Sequence, residues 1–478
     1  MTEISGRRIF PRVLARMLAF GAMLAMAVPV QATNGYFLIG FGSKARALGG
    51  ASVAVGQDSL SAAANPATFS DLKLSAMRVD IAADFFIPRR AVTHNADILG
   101  GEYRNTSGSN LFLIPAMGGV YKFNRRMTIG MAAMGAGSNT RFNQSVPECE
   151  DGDPNTVGST FFNYNCNGSS TVGVNLIQMQ MLPTIAYRLS KQHSIGASLA
   201  IGIQTFRAYG LESFGAPGSP LNFSADREHL TNNGNDWSYG LGFRLGWLSH
   251  FFDRRLSVGL NYASRVYMTK FDKYSGLFAE QGGFDIPEHF ALGLAVRPTK
   301  KLTFLFDIQK IRYSAIRSIG NPGPDAQDPS NFFSTDFGCT TTTANPAGNT
   351  CALGTDKGLG FGWQDQVVYK AGIQYEYNPA WTFRVGYNYG KAPIPENQRL
   401  FALLAPAVVE KHATAGITYK MSKTIEWSMS YVYAFKNTLK GRTGFYPQGI
   451  SSFDQLDKPN AAMSMYQHSL GITFSYLL

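Results

Sequence analysis

Charge is scarce in this 478-residue chain: Asp, Glu, Lys and Arg together make up 16% of it, well short of the charge-rich disordered class. Cysteine is scarcer, with Cys149, Cys166, Cys339 and Cys351 alone. None stands in a C-x-x-C pair or close to His, so no metal site is expected. Past residue 33 no apolar run reaches the roughly 20 residues a spanning helix needs. There is no G-x-S-x-G, and the seven His lie apart without a Ser or Asp constellation, so neither catalysis nor a cofactor is expected. Gly40-Phe41-Gly42-Ser43-Lys44 lacks phosphate-loop spacing. Basic residues are scattered along the chain, which makes nucleic acid a poor partner.

What is abundant is glycine, aromatic side chains and strict alternation. Trp381, Phe383, Val385, Tyr387 and Tyr389 interleave with Thr382, Arg384, Gly386, Asn388 and Gly390. Successive strand side chains point to opposite faces, so each such segment has one apolar face and one polar or glycine face. Tyr and Trp on the apolar face, with Gly and charge on the other, fit a membrane barrel better than a soluble sandwich. Alternation predicts fourteen strands, near 73–87, 110–123, 126–138, 175–189, 193–209, 236–251, 254–269, 284–297, 301–313, 365–377, 381–391, 408–420, 423–436 and 465–478. Six connections are tight, at Asn124-Arg125, Ser190-Lys191, Phe252-Asp253, Pro298-Thr299, Asn378-Pro379 and Met421-Ser422. Long ones, including 139–174, 210–235, 314–364 and 437–464, fall between them. Short turns alternating with long loops mark the periplasmic and extracellular ends of an outer-membrane barrel.

The termini agree with that address. Arg7, Arg8, Arg12 and Arg16 precede the apolar run Met17–Val30, and Val30-Gln31-Ala32 offers small residues for cleavage. Residues 1–32 are therefore expected to be a secretory signal peptide. Without those arginines and Glu3 the net charge falls from +11 to +8, which would favour contact with anionic lipopolysaccharide. The C-terminal alternation through Tyr476 resembles the signal read by the barrel assembly machinery, although the chain ends in Leu478 rather than Phe. In an oxidising compartment Cys149–Cys166 and Cys339–Cys351 are expected to close as disulfides, each within its own loop.

Residues 33–72 precede the first strand of a barrel placed at 73–478. They are rich in small residues and are expected to fold into the lumen as a hatch. Gly35-Tyr36-Phe37-Leu38, Leu48-Gly49-Gly50-Ala51, Asp58 and Asn65-Pro66-Ala67 follow in order. This layout resembles the FadL/TodX-type family of outer-membrane transporters for long-chain fatty acids and other hydrophobic compounds. A second Asn345-Pro346-Ala347 in a long loop shows that the tripeptide alone is weak; the ordered set carries the resemblance. The family often has L-G-R-A where this chain has Leu48-Gly49-Gly50-Ala51, with Arg46 upstream.

The resemblance implies an all-β, fourteen-stranded, monomeric barrel. Cargo would be caught by outer loops, bound in the lumen and released sideways at a kink in the third strand, where Gly135 and Gly137 are the candidates. Inward Arg384, Lys370, Arg244 and His412 are candidates for a carboxylate head group, with Gly242, Gly386 and Gly416 leaving room beside them. Ion pairing to neighbouring strands or the hatch is the competing role for these cations. Phe401-Ala402-Leu403-Leu404 and Phe332-Phe333 are apolar loop segments, suited to capture or to packing on each other. The alternative functions are a general diffusion porin and a surface adhesin.

Overall fold

The computed structural model describes residues 34–96, 101–143, 171–215, 224–323, 351–441 and 461–478. Residues 1–32, Phe332, Phe333, Cys149, Cys166 and Cys339 lie outside them. Cys351 is disulfide-bonded.

Among the described residues, fourteen long strands form the wall: β1 (Met77–Ala96), β2 (Phe112–Lys122), β3 (Met127–Asn139), β4 (Thr171–Arg188), β5 (His193–Tyr209), β6 (Asp236–Phe251), β7 (Leu256–Ala263), β8 (His289–Val296), β9 (Leu302–Ile311), β10 (Gln366–Glu376), β11 (Trp381–Gly390), β12 (Lys411–Lys420), β13 (Ile425–Gly441) and β14 (Ala461–Leu477). Each pairs antiparallel with its neighbours. β14 pairs with β1 from Arg78↔Leu477 to His94↔Ala461, so the sheet closes without an edge. Three short pieces, Gly101–Thr106, Phe142–Asn143 and Tyr267–Met268, pair with it locally.

Expected and observed strands agree to within a few residues for most of the wall. The largest departure is β1, which runs on to Ala96 rather than stopping near 87, and β7 ends at Ala263 rather than 269. At the end of β7 the Ser264 N–H still donates to the Phe243 carbonyl, but the returning Phe243 N–H is accepted by the Ser264 hydroxyl, so a side chain replaces one of the two ladder bonds where the strand stops. The six tight connections fall between the expected strands. Asn124 shows how one is built: its Oδ1 accepts from the amides of Arg126 and Met127, a side-chain mimic of a backbone turn.

Alternation sorts the wall into two surfaces. On β11, Phe383, Val385 and Tyr387 are exposed on the outside, while Arg384 and Asn388 are buried on the inside. Backbone polar groups can enter lipid only where strands are paired, and the closed ring provides that along nearly all of its wall.

Residues 34–72 lie inside the ring. Helix α1 (Gly42–Ala47) packs on β11 to β14 and β1, and the turn of 3-10 helix Pro66–Asp71 packs on β3 to β6. The inner wall is notched to receive this segment. Gly196 of β5 faces Gly246 of β6 in register, and a Cβ on Gly246 would stand 2.0 Å from Asn65 Oδ1. The Gly259↔Gly293 pair admits Val53 in the same way, and the Gly372↔Gly386 pair admits Leu48-Gly49. Three matched glycine pairs thus give the inserted backbone three seats.

Candidate transport site

The inward polar side chains bind the inserted segment. Asp307 accepts from the amides of Ser52 (2.7 Å) and Val53 (3.0 Å), and Asn388 donates to the Gly49 carbonyl (3.1 Å). Thr414 accepts from Gly49 N–H and donates to the Ala47 carbonyl, both at 2.9 Å. On α1, Lys44 pairs with Glu426 (2.5 Å) and Arg46 with Asp84 (2.6 Å), all four side chains being buried. Burial and the neighbouring Arg78 lower the Lys44 pKa, and Glu426 opposes that shift. Removing one partner of such a pair strands a buried charge, so these contacts fix position more than they add stability.

Asn65 makes the most connected polar contact at the hatch end. Its Oδ1 accepts from Ala67 N–H (3.0 Å), capping the Pro66–Asp71 turn. Its Nδ2 donates to Val53 O within the hatch (2.8 Å) and to Trp247 O of the wall (3.0 Å). One amide therefore ties the end of the hatch to its middle and to β6. At the other end Asn34 and Phe37 close a tight turn on each other, and the Tyr313 hydroxyl donates to the Asn34 carbonyl. Gly35 takes φ +63° there against the Tyr313 ring, where a Cβ would clash.

Above this turn, toward the loop end, lies an apolar cavity that opens to solvent at its mouth. Strand residues such as Leu176 and Phe206 contribute to it, as do loop residues such as Phe278, Leu353, Trp363 and Phe401. Among the described residues no Asp, Glu, Lys, Arg or His lines it. Two donors on its lining, the Tyr36 hydroxyl and the Trp363 indole N–H, are buried and make no hydrogen bond within normal distance among the described residues. Burial holds the Tyr36 hydroxyl protonated, its pKa raised well above the ordinary phenol value. Among the expected capture residues Phe401 and Leu404 line this cavity.

The candidate head-group residues lie elsewhere. Arg244 donates to Ala63 O and to Gln180 (2.8 Å), and Lys370 donates to Ile39 O (3.2 Å). Both line a second, lower cavity that shares Tyr36 with the first. Arg384 bonds Gln374 (2.8 Å), Thr418 (2.7 Å) and Gln57 of the hatch (3.2 Å), and lines a polar cavity at the turn end. His412 is fully buried opposite Asn388 and lines none of these cavities. The room expected beside Gly386 and Gly416 is filled by Gly49 and Ala47, because the hatch backbone occupies the space their missing side chains leave.

One stretch of wall is unpaired. β2 and β3 pair from Lys122↔Thr128 to Ala116↔Met134 and no further. Beyond that, β2 stays paired with β1 to Phe112, and β3 stays paired with β4 to Asn139. The chain is tied again above the gap by Gly108 N–H to Arg141 O (2.7 Å). The wall therefore holds a bounded window between residues 112–115 and 135–138. Pro115 on one edge has no N–H to offer, and Gly137 on the other takes φ +152°. Gly135 has space for a Cβ in ordinary contact with Pro115. Gly137 and Ser138 also line the apolar cavity, Met134 and Ala136 the lower one. Arg90 of β1 spans the top of the window, donating to Asn139 O on one edge and Ser109 O on the other. Nothing in the sequence pattern around Arg90 signals this bridge.

A family model described as outer membrane protein transport protein (OMPP1/FadL/TodX) matches residues 39–444. Curated protein sequences give no match. The fold is similar to the Pseudomonas putida toluene transporter TodX, with TM-score 0.62 and 15% identity over 92% of this chain and 99% of that one. It is similar also to the Ralstonia pickettii toluene transporter TbuX (TM-score 0.59, 15% identity, 92% and 98% covered). A Pseudomonas aeruginosa FadL homologue gives TM-score 0.57 and 12% identity over 94% and 99%.

Proposed function

Because the chain belongs to the OMPP1/FadL/TodX family and is an outer-membrane transporter of hydrophobic compounds, we propose that its cargo is neutral and leaves sideways through the window between β2 and β3. The observation that carries this reading is that, among the described residues, Tyr36 is the one ionisable side chain lining the apolar cavity, which touches the window at Gly137 and Ser138. A carboxylate placed there would lose its hydration without gaining a cation. A neutral aromatic or aliphatic compound loses nothing by leaving water, and the Tyr36 and Trp363 donors suit a π face or a single oxygen.

Cargo enters from the loop end, rests against the hatch at Tyr36, and passes between the edges of the window into the bilayer. A straight path to the periplasm would return it to water and forfeit the transfer free energy. The hatch-filled lumen speaks against a general diffusion porin. Arg384 serves as a hatch anchor in this reading, so Arg384→Gln leaves cargo affinity unchanged.

The test is binding of toluene and of oleate to the purified barrel, followed by quenching of Trp363 fluorescence with Trp363→Phe as control. Toluene is expected to quench and oleate to compete poorly. Tighter oleate binding that is lost on Arg244→Gln or Lys370→Gln would overturn the neutral-cargo reading in favour of a head group held in the lower cavity.

A further inference from the structure

The basic residues that look scattered in sequence gather in space at the turn end of the barrel. The six short connections between strands hold nine Lys and Arg against one carboxylate, Asp253. Arg125, Arg126, Lys191, Arg255, Lys300 and Lys423 are exposed there, with no ion pair or side-chain hydrogen bond among the described residues. Arg254 alone among the connection cations pairs with a carboxylate, Asp71. At the loop end the charges are mixed and often paired, as in Arg265–Asp285, Arg312–Glu288 and Arg317–Glu280.

The same turns carry exposed apolar side chains: Phe123, Leu189, Phe252, Tyr377 and Met421. Phe252 is 75% exposed at the tip of its turn, with φ +51°. Apolar tips beside unpaired cations are distributed around the circumference, not gathered on one patch. A single protein partner would meet a patch; a leaflet surface meets the whole ring.

We propose that this ring is a docking collar for anionic phospholipid headgroups of the inner leaflet of the outer membrane. The apolar tips enter the interface and the neighbouring Lys and Arg bind lipid phosphate. Interfacial aromatics prefer this depth, and basic residues close to an anionic leaflet are attracted within a Debye length. The shared chemistry is a phosphate oxyanion; the source is lipid, because a free anion would not engage Phe123 or Phe252.

The test is native mass spectrometry of the purified full barrel with equal amounts of phosphatidylglycerol and phosphatidylethanolamine. Wild type is expected to retain phosphatidylglycerol preferentially, and high salt to remove the preference. Arg125→Gln/Arg126→Gln/Arg255→Gln/Lys423→Gln is expected to lower that retention by about fivefold per charge removed. Lys357→Gln/Lys391→Gln at the loop end serves as the control and is expected to keep it. Heat-modifiable gel mobility confirms that each variant is assembled. No lipid preference, equal loss in both variants, or full displacement by 20 mM inorganic phosphate would overturn the proposal.

Discussion

Replacing Asn65 by Ala tests whether the hatch is held by the contacts described here. The substitution removes a cap on the Pro66–Asp71 turn and two donated bonds, to Val53 O and Trp247 O. Loss of an Asn cap costs about 1 kcal/mol. Each of the two remaining bonds contributes about 1 kcal/mol net, and both sit in buried surroundings. The sum, about 3 kcal/mol, corresponds to a shift of roughly 150-fold in the ratio of seated to unseated hatch. The barrel wall itself is untouched, because Ala fits the notch at Gly196 and Gly246 that now admits Asn. The assay is planar-bilayer conductance with limited proteolysis of residues 34–72. Asn65→Ala is expected to show frequent large openings and faster hatch cleavage, with unaltered heat-modifiable mobility. Wild-type conductance together with wild-type protection would place the anchoring elsewhere.

Arg90→Gln removes the guanidinium that bridges Asn139 and Ser109 across the top of the window, so amides of residues 135–139 are expected to exchange hydrogen faster; unchanged protection there would contradict a latch. Burial alone would raise the Asp71 carboxyl, but its hydrogen bond with His250, the His250 charge and Arg254 hold it at about 2. A depressed carboxyl contributes stability that is complete above its ordinary value near 4 and is lost as pH falls through 2. Hatch seating, read by proteolysis, is therefore expected to weaken between pH 4 and 2 in the wild type and to be flat over that window in Asp71→Asn.

The wall was legible because a barrel strand repeats every two residues and the closed ring leaves almost no exception to that period. The tight turns were legible for the same reason: Asn124 and Asn378 stand where strands must reverse. The cavity was not, since Phe278, Leu353 and Trp363 come from loops with no period to read and converge only in space. The inward glycines differ from expectation for a related cause. Gly386 leaves volume, as its sequence context implied, but the volume is filled by Gly49 of a segment distant in the chain. Arg244, Lys370 and Arg384 were correctly read as inward, yet inwardness does not distinguish a ligand from a hatch carbonyl. The expected bend at Gly135 and Gly137 coincides with the unpaired edge of β3, whereas Arg90, which spans it, sits in an unremarkable run of β1.

If cargo leaves sideways, closing the window must stop transport. Continuing the β2–β3 register beyond Ala116↔Met134 places Ile114 opposite Ala136. In Ile114→Cys/Ala136→Cys barrels assembled in cells, a short cleavable thiol cross-link would join the two edges. Toluene uptake is expected to stop when the bridge forms and to return when it is cleaved, with each single variant unaffected. Uptake at the wild-type rate through a fully bridged barrel would contradict lateral exit.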